Sequence, residues 1–241
     1  PLAENPTTIH VPLLNEKPYV EMTLWWLDRC GIRLERDGFD RFVIPGGQRY
    51  PAFLRTIPAD FSSATFFLVA AAITGGRVTL RGLDMSDTQG DKAVIAMLEE
   101  MGARVTHSAD GVTLEGGSLN GREFDLNATP DALPAMAVAG VCAMGETRLV
   151  NVPQARLKET DRIRVMYEEL TKMGARIEEL HDGLVIRNST LRGAVVDGRH
   201  DHRVVMALSV AGLAAKGLTE IETAESAAVT FPNYLELMQT L

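Results

Sequence analysis

The chain has 241 residues, 46% of them hydrophobic and 23% charged, an ordinary globular composition with length for one large domain or two small ones. Its formal net charge of −8, with no basic block, argues against nucleic acid as the main partner but leaves room for a small anionic ligand in a local basic pocket. No apolar run is long enough for a membrane-spanning helix, no signal-peptide pattern is present, and Cys30 and Cys142 are too few and too isolated for a disulfide framework or a metal knuckle, so a reducing, cytoplasmic setting is the default expectation.

In chain order, residues 1–12 read as a strand or linker. A helix follows over about 20–30, with Met22, Trp25 and Trp26 for packing and Gly31 to close it. Residues 32–35 and 41–44 form a strand pair around Asp37-Gly38. From about residue 58 the pattern becomes repetitive. An Ala-rich helix over 62–72, a strand over 77–80, a helix over 91–101 and a hairpin of 104–106 with 111–114 are followed by the same series. The second copy is a helix over 131–144, a strand over 147–150, a helix over 158–173 and a hairpin of 176–177 with 184–186. Met101-Gly102-Ala103-Arg104-Val105 and Met173-Gly174-Ala175-Arg176-Ile177 are one phrase, 72 residues apart. A third copy opens with a helix over 201–215, continues with a strand over 219–221 and ends in a helix over 234–241. Such a period is too long for a solenoid of small repeats and predicts three similar α/β units packed around a common centre.

The repeat places charged or hydroxyl residues at comparable helix starts: Asp60 with Ser62-Ser63, Asp131, Lys158-Glu159, and Asp201-His202-Arg203. If the units are related by rough threefold symmetry, these N-termini face one cleft, an arrangement suited to phosphates and carboxylates. Taken as a helix start, Lys158-Glu159-Thr160-Asp161-Arg162 puts Lys158 and Arg162 one turn apart, beside a stripe of Ile163, Met166, Leu170 and Met173. Glu159 then lies near the apolar side. Lys158, Arg162 and Arg203 would form a cationic clamp, and Asp131 with Glu159 a carboxylate pair able to divide base and acid roles. Each element also reads as an ordinary helix entry: Thr129 as cap with Pro130 behind it, Asp201 as cap, Lys158 to Arg162 as a solvated face. No set of ligands has metal spacing, and no Gly-rich nucleotide loop is present.

Arg156-Leu157-Lys158-Glu159-Thr160-Asp161-Arg162-Ile163, Asp201-His202-Arg203 and Thr230-Phe231-Pro232 together resemble the 5-enolpyruvylshikimate-3-phosphate synthase family of enolpyruvyl transferases. Lys17-Pro18-Tyr19, Ala59-Asp60-Phe61-Ser62-Ser63-Ala64, Gln89-Gly90-Asp91 and Pro130-Asp131-Ala132 match it in the same order, from residue 17 to the end. The resemblance implies an α/β fold of two domains, each of three βαβαββ units in pseudo-threefold arrangement. On that reading residues 1–57 are the tail of the last unit of one domain, and 58–241 the other domain, with units at about 58–128, 129–198 and 199–241. It implies transfer of the enolpyruvyl group of phosphoenolpyruvate to the 5-hydroxyl of shikimate 3-phosphate, with release of phosphate, in aromatic amino acid biosynthesis. The reaction is an addition–elimination through a tetrahedral intermediate, without metal or organic cofactor, in an enzyme targeted by glyphosate.

Carried over by motif, Asp131 is the base at the 5-hydroxyl and Glu159 the acid at the methylene carbon. Lys158 bridges shikimate 3-phosphate and the reacting centre. Arg162 and Arg203 hold phosphoenolpyruvate, Tyr19 lies by shikimate 3-phosphate, and Gln154 stands where the family often has Asn. Val229 stands where many members have a Lys before the Thr-Phe-Pro phrase. The chain lacks an initiator Met and the family's N-terminal substrate segments, so it reads as a fragment whose partner is the missing N-terminal half, with little or no turnover alone. Neither nucleic acid nor membrane is an expected partner. Two alternatives stand beside this reading: the architecturally similar UDP-N-acetylglucosamine enolpyruvyl transferase, and a non-catalytic βαβαββ module that binds an anion or a partner.

Overall fold

The computed structural model describes residues 1–109 and 111–240, which fall into two compact units. The smaller comprises Pro1–Pro58 with Ser86–Gly90, the larger Ala59–Met85 with Asp91–Leu241.

In the smaller unit, strand β1 (Thr7–His10), helix α1 (Lys17–Arg29) and strands β2 (Glu35–Asp37) and β3 (Arg41–Ile44) give an antiparallel sheet of order β1-β3-β2. The strand expected from residue 32 begins only at Glu35. Ile32 spends its N–H on Leu27 O at the end of α1, and the Gln48 amide takes both the N–H and the carbonyl of Arg33, so neither residue is free to join the sheet.

The larger unit runs α2 (Phe61–Thr74), β4 (Arg77–Arg81), α3 (Ala93–Met101), β5 (Arg104–Ser108), β6 (Gly111–Glu115), β7 (Glu123–Asp125), α4 (Leu133–Cys142) and β8 (Glu146–Val150). It continues with α5 (Arg162–Lys172), β9 (Arg176–Leu180), β10 (Gly183–Arg187), β11 (Val195–Asp197), α6 (His202–Ala214), β12 (Glu220–Glu222) and α7 (Tyr234–Met238). Its sheets have the orders β4-β6-β5, β7-β8-β10-β9 and β11-β12. The first repeats the β8-β10-β9 part of the second, with antiparallel pairing in both. Parallel β7-β8 and β11-β12 are each joined by a crossover through one helix, α4 or α6.

The repeat extends to single positions. Gly102 and Gly174 both carry the backbone into the left-handed region, φ +119° and +92°, at the ends of α3 and α5. At Gly111 and Gly183, a Cβ would collide with the carbonyl oxygens of Leu80 and Leu149 on the neighbouring strand.

Helices α2, α4 and α6 are apolar almost all round; every residue of α4 from Leu133 to Val141 is buried. A helix with no polar face belongs in a core, and each of these three packs against the other two at the centre of the unit. Helix α5 instead buries one stripe, with Ile163, Met166 and Leu170 inward. No helix among the described residues is long and apolar enough to cross a membrane.

Several expectations need correction. The helix expected from Lys158 starts at Arg162. Residues Pro153–Leu157 form a 3-10 turn, Lys158 is extended (φ −84°, ψ −156°), and Asp161 caps α5 by accepting the N–H of Arg164 at 3.0 Å. The helix expected from Asp131 enters through a 3-10 turn, Pro130–Ala132, and becomes α-helical at Leu133. Thr129 does not cap it; its Oγ1 is buried without a hydrogen-bond partner. Residues 91–92 likewise belong to a 3-10 turn, with α3 starting at Ala93. The last helix spans Tyr234–Met238, and Leu241, to which it was expected to extend, lies outside the described residues.

Candidate active site

The N-termini of α2, α4, α5 and α6 meet in one place, stitched together by side chains. Asp60 caps α2, accepting the N–H groups of Ser62 (3.0 Å) and Ser63 (3.1 Å), and Asp201 caps α6, accepting those of Arg203 (2.9 Å) and Val204 (3.3 Å). From the first turn of α6, Arg203 Nη2 donates to Ser62 Oγ at 3.0 Å and lies 3.0 Å from Asp131 Oδ2. At the start of α5, Arg162 donates from Nε to Asp201 Oδ2 (2.8 Å), from Nη1 to Asp131 Oδ1 (2.7 Å) and from Nη2 to Glu159 Oε2 (2.6 Å). Lys158 Nζ stands 3.8 Å from Asp131 Oδ1.

Three cations, Lys158, Arg162 and Arg203, therefore face three carboxylates, Asp131, Glu159 and Asp201. The three cations expected to form a clamp come together, and their charge is balanced in place by carboxylates. Three of the helix N-termini are likewise filled by their own Asp caps, so bare helix dipoles do not make the site. Only the entry to α4 has no side-chain cap. The Arg162 guanidinium is 1% exposed and Asp201 fully buried, whereas Asp131 is 14% exposed and Glu159 49%. Glu159, expected on the helix beside its apolar stripe, instead precedes α5 and turns to Arg162.

Burial alone would raise the Asp131 carboxyl, but Arg203, Arg162 and Lys158 together hold it below its ordinary value of 3.8. Asp60 is also partly desolvated, and the Ser63 and Ser62 hydrogen bonds bring it below the same value. His202, buried beside this cluster with Nδ1 3.9 Å from Glu159 Oε1, is pushed below 6.5 by burial and then by Arg203, against the pull of Asp201 and Glu159. Below pH 6.5 the unfolded chain protonates His202 before the folded one does, and below about pH 4 it protonates Asp60 and Asp131 first. The urea midpoint is therefore expected to fall in two steps on acidification, and His202→Gln to remove the upper one. A midpoint flat from pH 7 to 5 would contradict the His202 part.

Of the residues singled out from sequence, Asp131, Lys158, Glu159, Arg162 and Arg203 come together. Gln154 lies one segment upstream, its Nε2 donating to Asn127 O at 3.0 Å and its Oε1 buried without a partner. Tyr19 lies in α1 of the smaller unit. The sequence alone placed Asp201 and Ser62 at helix starts facing the cleft, and Asp201 also as a cap. Their second role, as partners of Arg162 and Arg203, depends on side chains 39 and 141 residues distant.

The model of the family described as EPSP synthase (3-phosphoshikimate 1-carboxyvinyltransferase) matches residues 1–238. Among curated proteins, the 3-phosphoshikimate 1-carboxyvinyltransferase of Ruminiclostridium cellulolyticum is 58% identical over 240 residues, covering 100% of this chain and 57% of its own length. That of Acetivibrio thermocellus is 58% identical over 238 residues, covering 99% and 56%. Among solved structures, the EPSP synthase of Acinetobacter baumannii superposes with a TM-score of 0.81 at 30% identity, over 99% of this chain and 57% of that one. The chain thus spans a little over half the length of the relatives it matches. With the family model matching nearly its whole length, the chain belongs to the EPSP synthase family.

Proposed function

We propose that this chain carries the Asp131–Glu159–Lys158–Arg162–Arg203 side of an active site that transfers the enolpyruvyl group of phosphoenolpyruvate to the 5-hydroxyl of shikimate 3-phosphate, releasing phosphate. The observation that supports it best is the convergence of three cations and two partly accessible carboxylates on one point. An anion-binding module needs the cations but not the acid–base pair. The identity to proteins named for this activity favours it over the UDP-N-acetylglucosamine enzyme.

In this reading Asp131 takes the proton of the attacking hydroxyl, Glu159 delivers one to the methylene carbon, and Lys158 spans the two substrates. Arg162 and Arg203 hold phosphoenolpyruvate, Tyr19 lies by shikimate 3-phosphate, and Gln154 is a further substrate-binding residue. The charge balance gives the site a built-in trigger. A carboxylate ringed by Arg203, Arg162 and Lys158 is a poor base, and substrate phosphate and carboxylate groups that engage those cations weaken the field on Asp131 and restore its basicity. We also read residues 1–57 as the tail of one domain and 58–241 as the three units of the other. The partner is the remaining length of the family's chain, and the setting the cytoplasm, as two free cysteines suggest.

The test is a full-length chimera in which this chain replaces the matching 240 residues of its 58% identical relative. It is expected to release phosphate only when both substrates are supplied, and the 241-residue chain alone to release little or none. A folded chimera that releases no phosphate, beside an active native relative, would overturn the reading.

A further inference from the structure

Lys158 and Glu159 sit on a segment that belongs to no helix or strand. Residues 158–160 bend between the 3-10 turn Pro153–Leu157 and α5. Such a segment keeps side chains in place only if something outside it ties it down. Arg156 does so with all three of its nitrogens. Nη1 donates to Asp161 Oδ2 at 2.7 Å and to Glu179 Oε1 at 2.9 Å, Nη2 to Leu180 O at 2.6 Å, and Nε to His181 O at 2.8 Å. Asp161 uses its other oxygen to cap α5, so Arg156 bridges the two ends of the bend. The anchor is the β9–β10 turn. It is tied to the same stretch a second time, since Asn151 N–H donates to Asp182 Oδ2 at 3.2 Å and Val152 N–H to Asp182 O at 2.9 Å.

We propose that Arg156 is a positioning residue for the proposed transfer: it closes residues 157–160 into a clasp on the β9–β10 turn and so fixes the directions of Lys158 and Glu159. The inference rests on the functional reading above. It separates two jobs within the site. The arginines that grip the anion have anchors outside the clasp, Arg162 in Asp201 and Asp131 and Arg203 in Ser62 and Asp131, although Arg162 also reaches Glu159. Loss of the clasp therefore strikes proton delivery harder than substrate binding. The planar fork matters, because a lysine ammonium is a point charge that satisfies one or two of these four acceptors at a time.

In the full-length chimera, Arg156→Ala is expected to lower kcat by about 100-fold, the scale of a catalytic group misplaced by about an ångström, with KM for phosphoenolpyruvate changed by less than about threefold. Arg156→Lys should fall between. Arg164→Ala, which gives up Glu168 and the second oxygen of Glu179 but leaves the clasp intact, should match the unsubstituted chimera. In the 241-residue chain, ¹⁵N relaxation should show the order parameters of residues 158–160 dropping from about 0.85 to below about 0.6 in Arg156→Ala, with β9 and β10 unchanged. Should Arg156→Ala not fold, Glu179→Gln is expected to give a smaller loss of kcat of the same kind. Unchanged kcat in these variants, or a rise in KM alone, would overturn the clasp. If the unsubstituted chimera is inactive the functional reading fails, and the order parameters then decide the clasp by themselves.

Discussion

Asp131→Asn is expected to lower turnover of the full-length chimera by about 100- to 10,000-fold, the usual contribution of a positioned general base, while the protein still folds. Asparagine has nearly the same shape and keeps one oxygen to accept from either Arg162 or Arg203, which lie 2.7 and 3.0 Å from the two different carboxylate oxygens, while its NH2 faces the other arginine. What it lacks is an oxygen that can take a proton. The pH profile sharpens the test. Because three cations hold Asp131 below its ordinary value in the chain, the acid limb of kcat/KM, which reports the free protein, should lie at low pH. The acid limb of kcat reports the complex, in which substrate anions share those cations, and should lie at higher pH. Steady-state phosphate release from pH 4 to 9 measures both. A loss smaller than tenfold in Asp131→Asn would leave Asp131 as an electrostatic tie between α4, α5 and α6 and remove it from the chemistry.

The repeat was legible in the sequence because its signals are local and occur twice: the Met-Gly-Ala-Arg phrase, the Ala-rich central helices and the hairpins after each glycine. Strands β7 and β11 were missed. Each has three residues, Glu123-Phe124-Asp125 and Val195-Val196-Asp197, too short for alternation to register, and each exists because a later strand pairs with it in parallel. The helix expected from Lys158 failed for a different reason. Its apolar stripe does begin at Ile163, but the charged residues ahead of it fit a helix wheel equally well. What ends the helix there is the Asp161 cap, which an acidic residue within a charged run does not announce. The site residues were legible as types. Their pairing was not, since Asp201 reads as an ordinary N-cap until Arg162 arrives from another helix.

Arg162→Met is expected to cost about 3–5 kcal/mol of stability, the usual penalty for stripping one partner from a buried ion pair. The reason lies with Asp201 more than with Arg162 itself. Asp201 is fully buried, and without the guanidinium its charge is left with two backbone N–H groups of α6. Arg162→Lys should cost less but still destabilise, because an ammonium cannot reach Asp201, Asp131 and Glu159 together as the planar fork does. The decisive comparison is a double-mutant cycle. Asp201→Asn keeps a capping oxygen for α6 and removes the stranded charge, so in the Arg162→Met background it should restore part of the lost stability, whereas alone it should destabilise. Urea midpoints of the four proteins at pH 7 give the coupling directly. Additive effects would mean that Arg162 and Asp201 do not act as a unit, and Arg162 would then be available to bind an anion without first giving up its place in the fold. Strong coupling would mean that any ligand reaching Arg162 must share it with Asp201, which leaves Arg203 and Lys158 as the first cations an incoming phosphate meets.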